Sequence, residues 1–112
     1  MEVLMKKIIL ISLITSNFAF AEGYPDGSTM GTPEMAKCAV AALKTDMERW
    51  KKWSSALEQR YLVMYKVKMT EKEIQNYTFE RVNDKKKELY SRGFDSKRSF
   101  EKYFEMNCAG EI

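Results

Sequence analysis

From Thr32 onward, apolar positions recur with the period of a helix, and no stretch alternates in the manner of a strand bounded by turns. Leu43, Met47, Trp50, Leu57, Tyr61 and Met64 fall at steps of 4, 3, 7, 4 and 3, a spacing that keeps side chains on one helical face. Cys38 and Ala39 extend the stripe upstream, and Trp53 lies on its flank. Thr32-Pro33-Glu34 opens the segment, with a threonine oxygen to accept a free amide and proline in the first turn. One helix is expected over residues 33–67, roughly 50 Å long at 1.5 Å per residue. Its expected bend is at Ser54-Ser55, where the stripe lacks an apolar side chain.

Two further helix starts follow. Thr70-Glu71-Lys72-Glu73 is a capping box, in which threonine and a glutamate three residues on satisfy each other's backbone amides. The helix it opens carries Ile74, Thr78, Val82 and Leu89 along one arc, with Phe79 and Tyr90 at its edge, and stops at Gly93. Asp95 or Ser96 can cap a last helix, where Phe100, Tyr103, Phe104 and Cys108 make an i, i+3, i+4, i+8 face. Short connections favour antiparallel neighbours. The expected fold is therefore all-α: a small three-helix antiparallel bundle, one helix long and two shorter, forming a single domain over 33–112.

The residues before this body differ in kind. Lys6 and Lys7 precede an apolar run from Ile8 to Ile14, and Ala19-Phe20-Ala21 supplies small residues at the positions a signal peptidase reads. Residues 1–21 are expected to be a cleaved secretory signal peptide, too short in apolar length to span a bilayer as an anchor. Glycine and proline then crowd residues 22–32, including the turn signal Tyr24-Pro25-Asp26-Gly27, and mark a flexible leader. The expected location is the periplasm or, alternatively, the exterior, with membrane contact only through the transient signal peptide.

Export changes the reading of Cys38 and Cys108. In an oxidising compartment two cysteines near opposite ends of a helical body most simply form one structural disulfide. An intermolecular bridge and a redox pair are the alternatives, and the separation of 70 residues is unlike the adjacent Cys-x-x-Cys of redox sites.

Composition removes several chemistries. There is no histidine among the 112 residues, hence none of the commonest general base or zinc ligand. Carboxylates such as Asp46 and Glu48, or Glu71 and Glu73, stand two apart on helices and diverge. No glycine-rich phosphate loop or calcium-binding loop occurs. No enzyme activity, cofactor or metal is therefore expected. A formal charge of +3, from 19 basic and 16 acidic residues, is too balanced for a nucleic-acid partner, and Lys85-Lys86-Lys87 spreads around its helix as a solvated face.

What remains is surface. Methionines and aromatics crowd the long helix, and Trp53, Tyr61, Leu62 and Tyr65 are the residues expected to form an exposed face for a protein partner. The expected function is that of an exported non-enzymatic protein binding another protein as an inhibitor, immunity-type protein or adaptor. The same features admit a periplasmic acid or stress chaperone, or a helical protein lying on a membrane surface. Either a monomer or a homodimer fits them.

Overall fold

The computed structural model describes residues 28–112; the expected signal peptide over 1–21 and the turn expected at Tyr24–Gly27 lie outside the described residues. It is all-helical, with four helices and no strand among those residues: α1 (Thr32–Leu43), α2 (Met47–Tyr65), α3 (Glu71–Ser91) and α4 (Lys97–Asn107). Four rather than three helices is a correction, because the single helix expected over 33–67 is two.

The chain reverses at Lys44–Asp46, not at Ser54-Ser55. The Thr45 hydroxyl donates back to the Ala41 carbonyl at 2.7 Å, and the Thr45 and Asp46 amides both fold onto the Ala42 carbonyl. Asp46 is extended (φ −154°, ψ 119°), and its carboxylate accepts the Glu48 amide at 2.9 Å, restarting a helix that the apolar period alone runs straight through. Ser54 meanwhile sits inside unbroken helix, its hydroxyl donating to the Lys51 carbonyl.

The other boundaries follow local chemistry. Gly31, not Thr32, occupies the cap position of α1 and makes no side-chain cap bond; Thr32 is the first helical residue. Thr70 and Glu73 form the expected capping box of α3. Ser96 caps α4 reciprocally with Ser99. Gly93 ends α3 with φ +97°, a left-handed conformation that favours glycine, and lets the Phe94 amide reach the Leu89 carbonyl at 2.9 Å.

α1 is the centre of the structure. Met35, Ala36 and every residue from Cys38 to Ala42 are buried, so this helix has almost no polar face. It packs against α2, α3 and α4, while α2 and α3 also pack on each other. The bulk of the core comes from the surrounding helices: Trp53 and Leu57 of α2; Ile74, Val82 and Leu89 of α3; Phe100, Tyr103 and Phe104 of α4. Two ion pairs meet on Glu88, with Lys37 of α1 at 3.2 Å and Lys85 of its own helix at 3.1 Å, tying α1 to α3 at the edge of that core.

The expected disulfide is present. Cys38 on α1 bonds Cys108 at the end of α4, with Cα atoms 5.7 Å apart and both cysteines buried. The closed loop of about 70 residues should stabilise the fold by about 4 kcal/mol through the entropy it removes from the unfolded chain. Urea unfolding with and without a reductant is expected to show that loss, with the Cys38→Ala, Cys108→Ala double variant near the reduced protein. Equal stability of all three forms would mean that the bridge contributes nothing.

Candidate functional site

The four side chains expected to form a partner-binding face do not share one accessible surface. Trp53 is 3% exposed and meets Phe104 edge-on with ring centroids 5.9 Å apart. Tyr61 is 4% exposed, while Leu62 and Tyr65 are half-buried. The expected surplus of aromatic face at these positions is thus taken up largely by the fold itself. The reversal at Lys44–Asp46 explains this, because once α2 turns back along α1, Trp53, Leu57 and Tyr61 become its inward side.

Tyr61 belongs instead to a tyrosine cluster between α2 and α3. Its ring meets Tyr77 edge-on at 4.9 Å and lies beside Tyr65 at 6.2 Å, and Tyr65 meets Tyr77 at 5.5 Å. Arg81 stacks over Tyr77 at 4.9 Å and is held by Asp84 at 2.8 Å. Burial pushes the Tyr61 hydroxyl up to about 12, and Tyr77 and Tyr65 add to the rise while Arg81 and a hydrogen bond with Thr32 oppose it. Tyr65 is raised as well, chiefly through its hydrogen bond with Tyr77. The three rings join two helices, and the raised Tyr61 and Tyr65 hydroxyls stay protonated near neutral pH, where they offer no general base. Among the described residues, no group of three or more acidic or cysteine side chains is placed to hold a metal ion.

Sequence reading passed over Arg60, which the structure buries at 2% exposure on α2. Its guanidinium donates to the backbone carbonyls of Met30 and Ser28, the latter at 3.3 Å. Ser28 is itself buried, and its hydroxyl accepts the Met30 amide at 2.9 Å. The last residues of the expected leader are therefore fastened to α2. The periodicity carried a faint signal, since Arg60 lies between Leu57 and Tyr61 and seven residues after Trp53.

The exposed apolar surface lies elsewhere. Leu43 at the end of α1, Met47 at the start of α2 (57% exposed) and Phe79 on α3 (62% exposed) reach solvent. Half-buried Trp50 joins them, its ring 6.2 Å from that of Phe79. Leu43, Trp50, Phe79, Val82, Asn83 and Lys86 line a groove of about 410 Å³ between the α1–α2 turn and α3. Leu43, Trp50, Phe79 and Val82 were legible as apolar, but Leu43 and Trp50 read with Met47 as a continuous core stripe; Thr45-Asp46 was the signal that would have split it. A second exposed run, Val63, Met64 and Val67, stands at the far end of α2.

Comparison with known protein families, with curated proteins and with solved structures found no match to this chain.

Two outcomes test this geometry. Arg60→Met keeps much of the side-chain bulk but strips the Ser28 and Met30 carbonyls of their donor, and it should cost about 3 kcal/mol in urea unfolding; a change below a few tenths would show that the fastening is idle. Because the folded state raises Tyr61, its contribution is fully present below the ordinary tyrosine value of 10 and is lost as pH rises from there toward about 12. Alkaline unfolding followed by phenolate absorbance and circular dichroism should fall in that window. Tyr61→Phe should move the midpoint upward, and an unmoved midpoint would remove Tyr61 as the cause.

Proposed function

We propose that this is an exported, non-enzymatic protein that acts in the periplasm, or outside the cell, by binding another protein. The observation that carries the reading is the apolar surface of Leu43, Met47, Trp50 and Phe79, which the fold leaves open beside a core it otherwise encloses. Aromatic and methionine side chains of this kind dominate the centres of protein interfaces. The amino-terminal basic and apolar pattern supports export, and the buried Cys38–Cys108 bridge is compatible with an oxidising compartment. No helix among the described residues is long and apolar enough to cross a membrane.

The test is to express the full chain with a carboxy-terminal tag in its native host and recover it from the envelope and the medium. Amino-terminal sequencing is expected to begin at Glu22. Size-exclusion chromatography is expected to show a complex of fixed stoichiometry with one host protein, weakened about tenfold by Met47→Ser, which removes exposed apolar surface without altering charge. Recovery of the free protein alone, or a complex indifferent to Met47→Ser, would count against this surface as the one that functions.

A further inference from the structure

The groove beside Phe79 has a chemistry that narrows its occupant. Along α3, residues 72, 76, 79, 83, 86 and 90 recur at steps of 4, 3, 4, 3 and 4 and so share one face of the helix. They are Lys, Asn, Phe, Asn, Lys and Tyr, without a carboxylate. All but Lys86 are exposed, and Lys86 is half-buried where it lines the groove. Of the five acids of α3, Glu88 is held by Lys37 and Lys85, Asp84 by Arg81, and Glu73 accepts the Thr70 amide, while Glu71 and Glu80 are exposed to either side of this face. Lys72 and Lys86, one on either side of Phe79, make no ion pair among the described residues.

The opposite wall is apolar, formed by Leu43 and Trp50, with exposed Met47 three residues before Trp50 on the same helix and buried Val82 between the walls. Of the six lining residues only Lys86 is charged. On the other side the carboxylates are Asp46 in the α1–α2 turn, which accepts the Glu48 amide at 2.9 Å, Glu48, which pairs with Lys51 at 3.6 Å, and Glu58, beyond Ser54 toward the tyrosine cluster. A channel between two helical walls, apolar inside and cationic along one rim, matches a third helix that presents apolar side chains at i, i+3, i+4 and i+7 with carboxylates on its flank. The face from Lys72 to Tyr90 is about 27 Å long at 1.5 Å per residue, room for a partner helix of roughly five turns. Once apolar walls exclude water, an unpaired ammonium there favours a carboxylate more strongly than an exposed lysine does.

We infer that the Trp50–Phe79 groove receives an acidic amphipathic helix of the partner protein, with Phe79 as the apolar anchor and Lys86 as the charge that selects it. This rests on the protein-binding reading above and adds the chemistry of the partner.

The probes are two 18-residue synthetic peptides with leucine at the same i, i+3, i+4, i+7 positions. One carries glutamate and glutamine at the remaining positions, and the other lysine and glutamine. Fluorescence anisotropy is read against the oxidised, processed protein recovered after export of the full chain. The acidic peptide is expected to bind at least tenfold more tightly than the basic one, and its affinity should fall with added salt. Phe79→Ala should weaken it about tenfold while leaving thermal unfolding nearly unchanged, because Phe79 is mostly exposed. Lys86→Glu should abolish or reverse the preference between the peptides. Lys102→Glu, an exposed position on α4 carrying the same change of net charge, should not.

Equal binding of the two peptides, binding of neither, or equal effects of Lys86→Glu and Lys102→Glu would overturn the assignment. So would a Phe79-dependent homodimer seen by sedimentation, which would give the groove to a second copy of this chain. A host complex that forms but ignores Phe79→Ala leaves the protein-binding reading in place and removes this one. Peptide selection that follows Lys86 stands even if no host complex is recovered.

Discussion

A helix without a polar face cannot stand in water, and α1 is such a helix: seven of its twelve residues are buried. Hydrophobic burial can satisfy it only if other elements surround it, which is why α2, α3 and α4 all pack on α1 rather than forming a ring around a shared axis. The side chains of Ala36, Ala39, Ala41 and Ala42 are short, so they let the neighbouring backbones approach while Trp53, Leu57, Ile74, Leu89 and Phe100 supply the volume. The disulfide acts on the same element. Cys38 is part of the enclosed helix, and its bond to Cys108 holds α4, the last of the described helices, to the first. A core this small leaves little margin, and closing a loop of about 70 residues adds stability where few further apolar contacts can be made.

Arg60 shows the same economy of means at a higher electrostatic cost. A buried guanidinium is expensive unless its donors are used, and here they are used on the backbone carbonyls of Ser28 and Met30. The cation therefore satisfies acceptors that the segment before α1 presents with no secondary structure of its own. It also fixes where that segment enters the bundle, beside the point where Thr32 meets Tyr61.

The helical class, the disulfide and the buried faces of α3 and α4 were readable in the sequence because each is a local signal. Ile74, Thr78, Val82 and Leu89 are buried on one arc, and Phe100, Tyr103, Phe104 and Cys108 on another, as their spacing requires. The reversal at Lys44–Asp46 was not read, because periodicity measures phase and not direction: a helix interrupted for three residues can resume nearly in phase, and the apolar count continues across the gap. Cap chemistry is the competing signal, and Thr45-Asp46 before Met47-Glu48 carried it. Arg60 escaped for a different reason. A charged residue inside an apolar face reads as a flank position until the elements it reaches are known, and its acceptors lie 30 and 32 residues away in the chain.

That three-residue reversal also decides which apolar side chains are left over. In an unbroken helix Leu43, Met47, Leu57 and Tyr61 would face one partner together. With α2 folded back, Leu57 and Tyr61 turn onto α1, while Leu43 and Met47 sit at the turn with less to cover them. Phe79 is left out by its own helix, since the arc through Ile74, Val82 and Leu89 passes it by. Trp50 bridges the two remnants, half in the core and half against Phe79. Exposed aromatic area of this kind contributes nothing to the isolated fold, and water disfavours it. Val82 and Trp50 tie one side of the groove to the core, while exposed Met47 and Phe79 add little to the isolated bundle. On the proposal above, an acidic helix laid over Phe79 and beside Lys86 would take this exposed apolar area out of water.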